Sequence, residues 1–208
     1  MSLISVFNSY KQEVATCKQY ITRAFTQDSS SNYILNIDEQ YFIVESAFLR
    51  IFIAWETFIE NAFISYLLGN HSAAGRQPTR FAAPQSETQA HQMLIGTQRY
   101  VDWASPEVVR KLSQIYFDNG EPINSTISSI NSDLIDLKNI RNAAAHLSST
   151  SIKAFQGVVN RKLGTIPAGV SVSSFLLSLD PSNSANITML DQYVSMLDAA
   201  SYNIVWWS

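Results

Sequence analysis

One stretch of the 208-residue chain groups side chains of complementary chemistry: Ile140-Arg141-Asn142-Ala143-Ala144-Ala145-His146. On a helix, Asn142 and His146 lie four residues and about 40° of azimuth apart, on one face. Arg141 stands about 100° to one side of Asn142, with a side chain long enough to bend toward that face. The alanines between keep the surface low, so that a substrate strand or another backbone can approach. One helix end then offers a guanidinium fork for phosphate oxygens, an amide, and an imidazole that titrates near neutrality. That set suits metal-independent cleavage of RNA. The 2′-hydroxyl attacks the adjacent phosphorus, and His146 takes the proton from that hydroxyl or gives one to the leaving oxygen. Arg141 stabilises the charge that builds on the phosphorane, and Asn142 orients His146 or the phosphate. The same residues also have a purely structural use. Arg141 can pair with Asp136 or Glu56, and His146 can serve as a cation at a helix C-terminus.

The elements that must position these groups read as helices. Leu3, Phe7, Tyr10, Val14, Cys17, Ile21 and Phe25 recur at three- and four-residue steps and predict an amphipathic helix over Leu3–Phe25. A long helix is predicted over Asp38–Leu68, with Asp38 as its N-cap. Tyr41, Val44, Phe48, Ile51, Trp55, Phe58, Ala62 and Tyr66 mark one face, and Phe52, Ile59, Phe63 and Leu67 widen it beyond what one neighbour covers. Residues His71–Gln85 read as a loop. Ser86 and Ser105-Pro106-Glu107 read as helix starts. Further helices are predicted near Ser129–Leu147, Ile152–Leu163 and Ile187–Tyr202. Gly169-Val170-Ser171-Val172-Ser173 alternates like a short β element within 170–179, yet Ser174–Leu179 is equally compatible with helix.

The Arg–x4–His run follows Ser132-Asp133-Leu134-Ile135-Asp136-Leu137 and an earlier aromatic-rich helix bearing Ala54-Trp55-Glu56-Thr57-Phe58-Ile59-Glu60. This arrangement resembles the HEPN superfamily, and within it the RiboL-PSP-like HEPN proteins of bacterial defence and toxin systems. The resemblance covers about Leu3–Leu163. It implies an all-α HEPN-type helical bundle over 1–163, with a loop insertion at about 70–86. Residues 164–208 would form a C-terminal extension packing on the bundle. It further implies a homodimer in which two motifs face one cleft, which answers the difficulty that one His cannot be base and acid at once. RNA is the implied substrate and a 2′,3′-cyclic phosphate the implied product. DNA, lacking the 2′-hydroxyl, should resist. A neutralising antitoxin or other partner protein belongs to the same expectation. The family often places an acidic or polar residue on the preceding long helix, which singles out Glu56, with Glu60 and Glu45 as alternatives. No cofactor and no metal are implied.

Composition narrows the setting. With 14 Lys and Arg against 17 Asp and Glu, the net charge is −3, so any RNA site must be a local concentration of charge. Arg76, Arg80 and Arg99 are candidates for a phosphate-contacting, RNA-binding rim. Charged residues make up 15%, well below the usual ~25%, while hydrophobic residues reach 46%. That excludes a disordered chain and suggests apolar surface covered by another subunit. Cys17 is the single cysteine, which excludes an intrachain disulfide and a Cys-based zinc site. His71 and His91 show no partner pattern and read as surface residues. Trp206-Trp207 reads as packing of the tail on the core. The phosphate-cradling Gly-rich loop, HExxH and GxSxG are absent. The N-terminus lacks a basic n-region, and the apolar stretch Phe42–Leu68 is broken by Glu45, Arg50, Glu56, Glu60 and Asn61, so a cytoplasmic protein without a membrane segment is expected. Two rival readings remain. One is a non-catalytic helical module that binds RNA or a protein partner. The other is a hydrolase built on Glu45 and Glu56, which predicts that His146→Ala keeps activity.

Overall fold

The computed structural model describes residues 2–97, 99–146 and 148–208. Helix α1, Leu3–Ala24, buries Leu3, Tyr10, Val14 and Cys17 of the expected stripe, but Val6 and Ala24 are buried where the periodicity predicts Phe7, Ile21 and Phe25, and those three are half-buried. Helix α2 spans Ile37–Leu67. Its cap is Asn36 rather than Asp38: Asn36 Oδ1 accepts from the N–H groups of Asp38 and Glu39, both at 3.0 Å. Glu39 Oε2 accepts from Asn36 N at 2.8 Å in return. This reciprocal pair satisfies three N–H groups around the helix start and leaves Asp38 in the first turn, where its charge suits the positive end of the dipole. At the other end, Gly69 holds φ +93°, and an added Cβ there would stand 2.7–2.9 Å from the Arg80 guanidinium. That close approach lets Arg80 Nη1 donate to Leu67 O at 2.7 Å, supplying one of the orphan carbonyls of the helix end.

Helices α3, Glu87–Ile95, and α4, Pro106–Tyr116, begin where Ser86 and Ser105 accept from Gln89 N and Val108 N. A 3₁₀ turn at Asp118–Gly120 follows. The helix expected over Ser129–Leu147 is α6, Asn131–Ala145, and a short helix outside that expectation, α5, Ile123–Ser129, precedes it. Ile130, at φ −117° and ψ 19°, separates them, and the expected end at Leu147 lies outside the described residues. Helix α7, Ser149–Leu163, starts three residues before the expected Ile152 because Ser148 Oγ accepts from Ser151 N, and it stops at a left-handed Gly164. The alternation near 170–179 does not form a strand. Ser171 and Ser174 build a capping box, and Val172–Leu177 is helix α8. Leu179 makes an isolated antiparallel bridge with Thr188. Helix α9 is Met189–Val205. Among the described residues β structure is limited to isolated bridges, and no helix is long and apolar enough to cross a membrane. The fold is all-α.

The chain divides into two compact units, each assembled from separate stretches. The first takes in the chain up to Lys11, Trp55–Ile135 and Met196–Ser208. Its core is aromatic: Trp55 stacks on Phe58 at 5.7 Å, Phe58 meets Tyr10 at 5.4 Å, and Phe63 meets Phe117 at 5.0 Å and Trp103 at 5.7 Å. Tyr66 spends its buried hydroxyl on Ile204 O at 2.5 Å. The 70–86 loop is tied down by Phe81 N donating to Tyr116 O and Asp118 N donating to Thr79 O, both at 2.9 Å.

The second unit comprises Gln12–Ala54 and Asp136–Ser195. Val14, Cys17, Val44, Phe48, Ile51 and Phe52 are buried with Leu137, Ile140, Phe155, Val159, Phe175, Leu176 and Val194. Phe155 packs edge-on against Phe175 at 5.7 Å. Lys18 pairs with Asp191 at 2.8 Å, joining α1 to α9 within this unit.

Candidate functional site

Helix α6 is fixed by one apolar row and one buried charge. Leu134, Leu137 and Ile140 are buried at three-residue steps. Asp136 is also buried, and its carboxylate is held by Arg161 Nη2 and, at 3.7 Å, by Lys162 Nζ, both on α7. Burying a carboxylate is tolerable only with such partners. The structural use suggested for Arg141 as the partner of Asp136 is therefore taken up at least in part by α7.

The motif spans the end of α6 and the residue after it. Arg141 and Asn142 are half-buried, Ala143 is buried, and Ala145 and His146 are exposed. Arg141 Nη1 donates to Asn142 Oδ1 at 3.1 Å, so guanidinium and amide act as one connected donor set. His146 follows the helix, yet its N–H donates to Asn142 O at 2.9 Å. Its carbonyl accepts from Ser151 Oγ at 2.6 Å, the same Ser151 whose N–H is taken by the Ser148 cap. The backbone of His146 is thus pinned on both sides while its imidazole faces solvent. Arg141, Asn142 and His146 all belong to the second unit; the first two side chains are in contact, and His146 stands just past the helix end.

The other carboxylate candidates are divided between the two units. Glu56 is half-buried on α2 in the first unit, between buried Trp55 and Phe58. Glu60, also there, faces His91: Oε1 and Nδ1 are 3.4 Å apart, beside a hollow of about 190 Å³ that Leu94, Tyr100 and Trp103 help to line. Sequence reasoning missed this pair, since a contact across 31 residues leaves no local signal. Glu45 belongs to the second unit and accepts from Ser173 Oγ at 3.3 Å. Burial raises its carboxyl above the ordinary range, and the serine bond offsets this only in part.

The arginines of the expected rim all belong to the first unit. Arg76 lies 3.9 Å over the Trp207 ring and donates from Nη1 to Ser208 O at 2.6 Å. Arg80 closes α2 as described, and Arg99 is exposed. Trp206 packs on Tyr202 at 4.7 Å and edge-on against Phe7 at 5.0 Å, in keeping with a tail that packs on the core. Among the described residues no group of three or more His, Cys, Asp and Glu comes together to hold a metal ion. In comparisons with known proteins, no family model, no curated protein and no solved structure matches this chain.

Proposed function

We propose that this chain is a HEPN-type endoribonuclease that cleaves RNA without a metal ion, by attack of the 2′-hydroxyl, in a defence, toxin or RNA-processing setting. One observation carries the reading. A guanidinium and an amide in contact near the C-terminal end of α6 are followed directly by an exposed His146, whose backbone is pinned at both its N–H and its carbonyl. Pinning matters because proton transfer and phosphorane stabilisation need groups held in place before substrate arrives. Arg141 takes the phosphate charge, Asn142 holds the guanidinium toward it, and His146 moves the proton at the 2′-hydroxyl or the leaving oxygen. A homodimer supplies the second imidazole, and the 15% share of charged residues supports a covered surface.

The test is cleavage of a single-stranded RNA and its DNA counterpart by the full chain in EDTA. The RNA should be cut to 2′,3′-cyclic phosphate ends and the DNA spared. His146→Ala and Arg141→Ala should each lower the rate by roughly 10²–10⁴-fold. Full activity in His146→Ala would remove the imidazole from the mechanism and favour a carboxylate hydrolase.

A second reading is a non-catalytic module that binds RNA or a protein. Arg76 and Arg80, whose guanidinium groups are spent on Trp207, Ser208 and Leu67, weigh against the phosphate-contacting rim of the nuclease and so leave room for a protein-binding form of this module. RNA binding without cleavage, unchanged by both substitutions, would establish it.

A further inference from the structure

The second unit contains an open hollow of about 310 Å³ between α1 and the start of α2. Its walls are mostly apolar: Tyr20 from α1, Leu35 from the connection, and Phe42, Ile43 and Ala47 from α2. Phe42 and Tyr20 are 73% and 47% exposed, so the mouth of the hollow presents apolar ring surface to water. The volume sits at the lower end of the range for sites that bury small organic ligands.

Two arginines reach this hollow, and their states differ. Arg50 is committed: its Nε and Nη2 both meet Glu13 Oε1, at 2.8 and 2.5 Å, so that pair is close to neutral. Arg23 lies in the last turn of α1, and among the described residues its guanidinium has no hydrogen-bond or ion-pair partner. The Ser46 hydroxyl, half-buried on the same wall, also makes no hydrogen bond among the described residues. The hollow therefore combines an apolar body site with one uncompensated positive charge and one unspent hydroxyl.

We infer that this hollow binds a small amphipathic anion, a carboxylate or sulfonate carried on one or two rings or a short alkyl chain. The hydrocarbon part covers Phe42, Leu35 and Tyr20. The anionic head accepts from Arg23 and Ser46. An uncharged hydrophobe would desolvate the guanidinium without replacing its water, and a bare inorganic anion would leave the walls wet. The site is distinct from the α6 motif, so it stands or falls independently of the nuclease reading.

The experiment is titration calorimetry of the full chain with 2-naphthoate, 2-naphthalenemethanol and inorganic phosphate. Naphthoate should bind at one molecule per chain with Kd on the order of 100 µM. The alcohol should bind roughly tenfold more weakly and phosphate not measurably. Arg23→Gln should weaken naphthoate roughly tenfold while leaving the alcohol unchanged. Phe42→Ala, at an exposed position that does not endanger folding, should weaken both organic ligands several-fold. Circular dichroism checks that both variants remain folded. The inference is overturned by the absence of saturable naphthoate binding up to about 5 mM. Equal affinities for naphthoate and the alcohol would overturn it too, as would naphthoate binding that neither substitution alters.

Discussion

Asp136 offers the sharpest test of what holds the motif helix in place. Its side chain is 3% exposed, while its partners Arg161 and Lys162 are 57% and 28% exposed. The burden of desolvation is therefore unequal. Asp136→Asn keeps the shape, removes the buried charge and returns two cations to water they already touch. The loss is that of charge-assisted hydrogen bonds, about 2 kcal/mol. Arg161→Ala leaves the carboxylate buried with Lys162 at 3.7 Å as its remaining α7 cation, and costs more, about 3 kcal/mol. For a chain of this length, 2 kcal/mol lowers Tm by about 4–8 °C. The double variant should recover part of the sum, with a coupling of about 1 kcal/mol or more. Urea unfolding with an unchanged m-value is the assay. Additive losses, or a cost under about 0.5 kcal/mol for Asp136→Asn, would show that this ion pair does not anchor α6 to α7.

Two further outcomes follow from single contacts. Tyr66→Phe removes only the hydroxyl that donates to Ile204 O, and should cost about 1–2 kcal/mol in urea unfolding, since the carbonyl is left buried without that donor. Asp191 concerns pH. Burial alone would raise its carboxyl, but the Lys18 ammonium and the Thr188 hydroxyl outweigh it and hold it below the ordinary value of 3.8. A carboxyl depressed by folding stabilises the native state above its unfolded value and loses that contribution as pH falls through the lower, folded one. Asp191→Asn should accordingly flatten the acid limb of a stability–pH curve below about pH 4, and an unchanged limb would refute the assignment.

Local chemistry made much of this chain legible, and distance in sequence hid the rest. Ser86 and Ser105 announce their helices because an N-cap acts within three residues. The middle of the α1 stripe, Tyr10, Val14 and Cys17, is legible because its core contacts repeat at helical spacing. Helix α5 escaped notice because Ile123–Ser129 is short and serine-rich, with too few turns to show a period. The 170–179 segment reads as alternation, but Ser171 and Ser174 satisfy each other's backbone, and that reciprocal bond outweighs β-propensity in so short a piece. Asn36 displaced Asp38 as the α2 cap because Glu39 could reach back to it, a choice between adjacent acceptors that side-chain type alone does not decide. Arg141, Asn142 and His146 are legible as neighbours because they fall within six consecutive residues at the end of α6. The Glu60–His91, Glu13–Arg50 and Asp136–Arg161 pairs join residues 25 to 37 positions apart, and only packing brings them together.

The lone thiol has a practical consequence. Cys17 is fully buried, and burial, with the Glu13 carboxylate beside it, pushes the thiol up. A reagent that modifies thiolates can reach it only when α1 lifts from its packing, so the protein carries a built-in clock for that opening. A fluorophore placed on an introduced surface cysteine would meet no competing native thiol on the folded chain, and pulsed labelling of the native one would time the breathing of α1 without any dye at all.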